Sequence, residues 1–174
     1  MGCLSIFLEG IIYINIELYI TIKISWRRAM KVKNSIECYI IRVSTNGFTE
    51  ILLLHKPKTD RHPAFWQPIT GGIEEGEKPL DACKREVKEE TNLDVRLESI
   101  EDLDFKFEIF IEDCDLVIKK SLFICRRLNS ELEVSISDEH DDFMWTKIED
   151  VRNYLFWDSN KNTFNKLYSI LRCT

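Results

Sequence analysis

Alternation with a period of two runs through the first part of the chain. Ile12, Ile14, Ile16, Leu18, Ile20, Ile22 and Ile24 interleave with Tyr13, Asn15, Glu17, Tyr19, Thr21 and Lys23, the periodicity of a strand rather than a helix. Glu9, Asn15 and Glu17 would each be costly in hydrocarbon, so the stretch reads poorly as a membrane span. It reads no better as a signal peptide, because Arg27, Arg28 and Lys31 follow the apolar residues instead of preceding them. Further on, β-rich runs at Ser35–Val43 and Glu50–His55 flank the turn-prone Ser44-Thr45-Asn46-Gly47, which predicts two paired strands. Lys56–Pro63 is a polar loop, and Phe65–Thr70 is a third strand ending at Gly71-Gly72. A helix follows. Pro79 suits its first turn, Glu77 lies where negative charge favours a helix N-terminus, and Leu80, Cys83 and Val87 form an apolar stripe that continues to Thr91. Asp104–Glu112 alternates through Phe105, Phe107 and Ile109 and turns at Glu112-Asp113 into a strand over Leu116–Arg126. Leu132–Ile136 and Phe143–Thr146 complete the predicted strands, and Ile148–Phe156 and Thr163–Arg172 the helices. Helices interposed among strands predict an α/β sandwich around a mixed sheet.

At 174 residues, with 44% hydrophobic and 31% charged positions, the chain has the size and composition of one folded domain. Its first 29 residues are expected to be an extension outside that domain, which would occupy residues 30–174. A formal net charge of -6 argues against a general grip on a nucleic-acid backbone, so cations for any phosphate ligand must be local. Cys3, Cys38, Cys83, Cys114, Cys125 and Cys173 contain no C-x-x-C pair; they are expected to be reduced core thiols in a cytoplasmic protein.

The segment from Gly71 to Leu93 reads GGIEEGEKPLDACKREVKEETNL. At about 100° per residue, Glu86, Glu89 and Glu90 fall within one helical arc, with Lys88 nearly opposite. Such a face serves either as ordinary solvated surface, where like-charge neighbours cost a few tenths of a kcal/mol, or as a holder for a hard cation such as Mg²⁺. The surrounding spacing separates these readings. Gly71, Glu77, Arg85, Glu86, Val87, Glu89, Glu90 and Leu93 match the box G-x5-E-x7-R-E-U-x-E-E-x-G-U, U being a bulky aliphatic residue, and the chain thereby resembles the Nudix hydrolase family. Asn92 replaces the second glycine of the box; as the residue next best to Gly in the left-handed conformation, it is expected to end the helix. Phe65-Trp66-Gln67-Pro68-Ile69-Thr70, Phe107-Glu108-Ile109-Phe110 and Glu139-His140 ahead of Trp145 resemble the bacterial dihydroneopterin triphosphate and dATP pyrophosphohydrolase subgroup.

The resemblance implies a Nudix α/β/α sandwich and Mg²⁺-dependent hydrolysis of a nucleoside or pterin triphosphate to the monophosphate and pyrophosphate, with Mn²⁺ as a substitute metal. It implies Glu86, Glu89 and Glu90 as metal ligands, helped by a backbone carbonyl at Gly71 or Gly72, and a further ligand at Glu139. That glutamate also belongs to the acidic run Asp138-Glu139-His140-Asp141-Asp142, and such runs ordinarily form solvated loops. Glu77 and Arg85 are expected to pair and brace the loop against the helix, and Glu89 or Glu86 to take the proton of the attacking water. Lys56, Lys58 and Arg61 are candidate phosphate contacts, with Phe65 and Trp66 as candidate walls for the ring system, although an aromatic pair in a strand also suits a core. His55, His62 and His140 show no metal or nucleophile spacing and are read as structural or surface residues. Expected partners are small molecules, with no stable nucleic-acid complex and no membrane, in a monomer or homodimer. Other Nudix substrates (a sugar nucleotide, a dinucleoside polyphosphate, a capped RNA end) are the alternative, followed by a non-catalytic nucleotide-binding module, against which stands the retention of every box glutamate.

Overall fold

Apolar runs too long for one buried face explain the sheet. Ile36 to Ile41, Ile51 to Leu54 and Leu122 to Cys125 are almost continuously buried, as strands covered on both sides must be. The computed structural model describes residues 30–126 and 133–172. The periodic stretch within residues 1–29, with Cys3, lies outside these, as do Cys173 and the start of the strand expected from Leu132. Contacts divide the chain into a main body, Lys33–Ile109 with Ile118–Thr174, and a small unit. Within the described part of the small unit, the N–H of Lys31 donates to the carbonyl of Asp115 at 2.7 Å. No described helix is long and apolar enough to cross a membrane.

The strands are β1 (Lys31–Val43), β2 (Thr49–Lys56), β3 (Phe65–Gln67), β4 (Ile69–Gly72), β5 (Ile100–Ile111), β6 (Leu116–Arg126) and β7 (Asp142–Lys147); the helices are α1 (Pro79–Thr91), α2 (Val151–Tyr154) and α3 (Asp158–Arg172). They form one sheet in the order β3-β2-β1-β6-β5, with β4 added to β1 and β7 to β2. β1 pairs antiparallel with β2 and β4, and β2 antiparallel with β3 and β7; a parallel bridge joins Trp66 to Leu155. The turn from β1 to β2 falls at Ser44–Gly47, where Gly47 takes φ 78°, a left-handed value that glycine adopts without strain.

Alternate residues of the central strands face opposite layers. Ile36, Cys38, Ile40, Leu52, Leu54, Phe123 and Cys125 pack with Ala82, Cys83 and Val87 of α1. Tyr39, Ile41, Ile51, Leu53, Leu122 and Ile124 pack with Val151 and Leu155 at α2 and with Phe164 and Leu167 of α3. The result is the expected α/β sandwich with a mixed sheet. On the α3 side, the fully buried Glu37 accepts from Tyr39 Oη at 2.8 Å, Lys120 Nζ at 2.7 Å and Asn160 Nδ2 at 2.9 Å, and from the Thr163 hydroxyl. A buried carboxylate is tolerable when so many donors meet it.

Five expectations need correction. Pro68 cannot donate to a ladder, and the strand expected over Phe65–Thr70 is divided there into β3 and β4. The described part of the strand expected over Leu132–Ile136 is irregular: Ser135 N–H donates to the Thr91 carbonyl at 3.1 Å and Ser137 N–H to that of Glu90 at 3.3 Å. It satisfies helix-end carbonyls instead of a neighbouring strand. The helix expected over Ile148–Phe156 shrinks to α2, while α3 begins at Asp158, before the expected Thr163. Cys38, Cys83 and Cys125 are buried as expected, but Cys114 is exposed.

Candidate active site

β4 ends in the glycine turn that passes over α1. Gly71 pairs with Ile36 of β1, and a Cβ at Gly71 would lie 1.8 Å from Cδ of Glu86; only glycine lets the turn and the carboxylate approach this closely. α1 runs from Pro79 to Thr91 and ends on Asn92, which takes φ 55° and donates its N–H to Lys88 O. Asn92 therefore does what the second glycine of the box would do.

Arg85 is the hub of the loop. Its Nε and Nη2 grip Glu77 at 2.9 and 3.0 Å, Nη2 also reaches the Gly72 carbonyl at 2.9 Å, and Nη1 holds Glu86 at 2.8 Å and Glu89 at 3.1 Å. Hydrogen bonds from Arg85 and then the Glu74 backbone hold the Glu77 carboxyl down at about 2. Gly72 O, one of the two carbonyls expected to help hold a cation, already accepts from Arg85. Glu86 is half-buried and Glu89 exposed. Burial raises the Glu86 carboxyl, against the pull of Arg85.

Glu90 turns inward. It is 4% exposed, and its Oε2 is buried with no hydrogen-bond partner among the described residues. Burial first, then the charge of Glu86, push its carboxyl up to about 8; Lys56 and the Thr70 backbone pull the other way. Glu139, across the site, is bonded to Lys56 Nζ at 2.5 Å, and this bond lowers its carboxyl. The segment bearing Glu139 is fixed at both ends, by Ser137 N–H to Glu90 O and by Asp141 N–H to His55 O at 3.2 Å.

The carboxylates expected as metal ligands are thus bonded differently: Glu86 and Glu89 to Arg85, Glu139 to Lys56, and Glu90 to neither. Among the described residues no three metal-binding side chains stand already gathered for an ion. The donor set nevertheless fits a hard divalent cation, because an orphaned buried carboxylate oxygen lies beside two further carboxylates and a glycine turn.

Of the candidate substrate contacts, Lys56 reaches the site, whereas Lys58 and Arg61 are exposed in their loop. Phe65 lies against Phe156 at 6.1 Å and Trp157 at 5.6 Å between ring centroids. Trp66 instead packs with the core on the face away from α1, its ring 4.7 Å from that of His55, and Phe65 is itself buried, 8% exposed. Phe156 and Trp157, 46% and 41% exposed, went unnoticed in the sequence; adjacent aromatics just before the Asp158-Ser159 helix start were the available signal. His140, read from the sequence as a structural or surface residue, is buried. Its side chain is fully buried, and burial followed by the charge of Lys56 holds its imidazole down at about 4. A cavity of about 310 Å³ lies beside the loop, lined by Asn34, Ile73, Glu77, Lys106, Lys119 and Ser121 among others. It touches none of Glu86, Glu89, Glu90 or Glu139.

The nucleoside triphosphatase NudI of Klebsiella pneumoniae is 30% identical over 108 residues, which span 59% of this chain and 76% of that protein. Dihydroneopterin triphosphate diphosphatase of Escherichia coli is 48% identical over 52 residues, 28% of this chain and 35% of that protein. The E. coli dihydroneopterin triphosphate pyrophosphohydrolase structure superposes with a TM-score of 0.63 at 26% identity, covering 78% of this chain and 96% of that one. A binary complex of C. elegans Ap4A hydrolase gives 0.60 at 25%, covering 80% and 99%. A sandwich carrying this turn and helix, among these relatives, is a hydrolase acting on phosphoanhydride bonds. The chain belongs to the Nudix family, whose NUDIX domain it matches over residues 38–167.

Proposed function

We propose that the protein hydrolyses a nucleoside or pterin triphosphate to the monophosphate and pyrophosphate, with Mg²⁺ as cofactor and Mn²⁺ able to replace it. Glu90 carries this reading. A carboxyl buried beside Glu86 and Glu139, with one oxygen unpartnered among the described residues and a pKa pushed up to about 8, is one whose charged form a bound cation would stabilise. Glu86, Glu89, Glu90, Glu139 and the Gly71 carbonyl would hold the ion. Bound there, it supplies charge neutralisation at the phosphate oxygens and an acidified water for attack on phosphorus. Glu77 acts through Arg85, keeping the Gly72 turn seated over α1. Of the two candidate bases, Glu86 has the carboxyl raised by burial, which suits acceptance of a proton near neutral pH better than an ordinary carboxylate does. Lys56, Lys58 and Arg61 line the path of the polyphosphate, and the Phe65–Phe156–Trp157 group offers ring faces for a base or pterin. The names of the NudI and dihydroneopterin relatives support the substrate class.

The test is a screen of dATP, other nucleoside triphosphates and dihydroneopterin triphosphate for pyrophosphate release, with Mg²⁺ and with Mn²⁺. Pyrophosphate and a monophosphate are expected from at least one substrate, with Glu86→Gln and Glu90→Gln abolishing nearly all turnover while the fold survives. Wild-type rates in both variants at saturating Mg²⁺ would remove α1 from the chemistry. A dinucleoside polyphosphate is the second reading, favoured by the lysine-lined cavity beside the loop. Products that are two nucleotides with no free pyrophosphate would favour it.

A further inference from the structure

His140 lies in the acidic run, yet its side chain is fully buried, and neither ring nitrogen has a hydrogen-bond partner among the described residues. The nearest charged oxygen is Glu90 Oε2, 4.0 Å from Nε2 and itself buried and unpartnered. A separation of 4.0 Å is no hydrogen bond; closing by about 1 Å would make one. Buried polar atoms left without partners are costly, so the pair is arranged to meet. The backbone holds the ring there. His140 N–H donates to Ser137 O at 3.1 Å, while the flanking Ser137 and Asp141 are tied to Glu90 O and His55 O, and Asp141 Oδ1 bonds His55 Nδ1 at 2.5 Å.

We propose that His140 is a positioning residue for the cation site, its Nε2–H donating to the inner oxygen of Glu90 and thereby turning the other Glu90 oxygen toward the metal. The proposal rests on the cation site itself. Direct ligation by His140 is disfavoured because hard Mg²⁺ prefers oxygen donors. A neutral imidazole has one donor and one acceptor nitrogen, so the bond to Glu90 also sets the tautomer. Side chains that orient a metal ligand in this way contribute about 10–100-fold to metal affinity.

The test uses the full chain without substrate: Mn²⁺ titration read by the EPR signal of the free ion, alongside thermal melts of wild type, His140→Leu and His140→Gln. His140→Leu is expected to weaken Mn²⁺ binding about 10–100-fold, and His140→Gln, which keeps an N–H donor, to recover most of that loss. Equal affinity in a folded His140→Leu variant, or equal loss in both variants, would overturn the donor role. Where His140→Leu does not fold, wild type decides by ¹⁵N NMR. A slowly exchanging Nε2–H resonance of His140 with Mg²⁺ bound, missing in His140→Gln, is expected; a rapidly exchanging ring proton would refute the bond. No Mn²⁺ binding by wild type would instead sink the cation site.

Discussion

Glu90 and His140 make stability depend on pH in opposite directions. In the fold the Glu90 carboxyl stands at about 8 against an ordinary 4.5, so the folded state keeps a proton that the unfolded chain has released. The stability this contributes is complete below 4.5 and is lost as the pH climbs to 8. His140 stands at about 4 against an ordinary 6.5; here the unfolded chain takes a proton that the fold refuses. Its contribution is complete above 6.5 and is lost as the pH falls toward 4. Between 4.5 and 6.5 the two slopes oppose each other, and from 6.5 to 8 only that of Glu90 remains. Across those 1.5 pH units, at about 1.4 kcal/mol each, the metal-free protein loses about 2 kcal/mol. At roughly 2–4 °C per kcal/mol for a chain of this size, Tm drops by about 4–8 °C. The assay is a set of thermal melts in a chelator at pH 6.5 and 8, for wild type and Glu90→Gln. The variant, having no carboxyl at that position, should show little of the drop, and saturating Mg²⁺ should restore wild type at pH 8 by binding the folded carboxylate. Parallel pH profiles for wild type and variant in chelator would refute the assignment of the buried charge to Glu90.

Gly71→Ala places a Cβ against the carboxyl end of Glu86. That flexible end can move aside, so circular dichroism should stay native while turnover falls by about 100-fold, the effect of an ångström-scale displacement of a reacting group; native turnover would contradict the close packing of turn and helix. Arg85→Ala frees Glu77 and the Gly72 carbonyl together. Amide exchange across Ile73–Glu77 should accelerate and activity should drop about 10–100-fold, whereas unchanged exchange would deny Arg85 its bracing role. Lys56→Met removes the cation bound to Glu139. Mn²⁺ should then bind at least as tightly as in wild type while KM for the triphosphate rises, and weaker Mn²⁺ binding at an unchanged KM would show that Lys56 serves only the loop.

Much of α1 was legible because both ends carry residues with backbone consequences: Pro79 fits only a first turn, and Asn92 tolerates the left-handed exit. The central strands were legible from their apolar runs, although which residue faces which layer follows only from pairing with Gly71 on one side and Thr49 to Ile51 on the other. Segment 133–141 was not legible. Val134 and Ile136 look like strand residues, and they do pack against the core, but their neighbours bond to the end of a helix distant in sequence, and no local pattern encodes that choice. Burial of His140 was hidden for the same reason. Four acidic neighbours made it look solvated, yet its environment is set by Glu90 and by Lys56, residues far away along the chain.

Within α1, spacing showed which carboxylates share a face; it could not show what neutralises them in the fold. Among the described residues Arg85 is paired with Glu86 and Glu89 and Lys56 with Glu139, while no lysine or arginine is bonded to the more deeply buried Glu90. A divalent ion held by Glu90 and Glu139 would compete with Lys56 for Glu139 and release its ammonium group. Lys56 lies at the end of β2, where the Lys58 and Arg61 loop begins, so a released ammonium would be free for an incoming phosphate. If the proposed ion took Glu139 as a ligand, metal binding would precede productive substrate binding, because Lys56 is otherwise bonded to that carboxylate. One pair of charges, Lys56 and Glu139, thereby links the two halves of the proposed site.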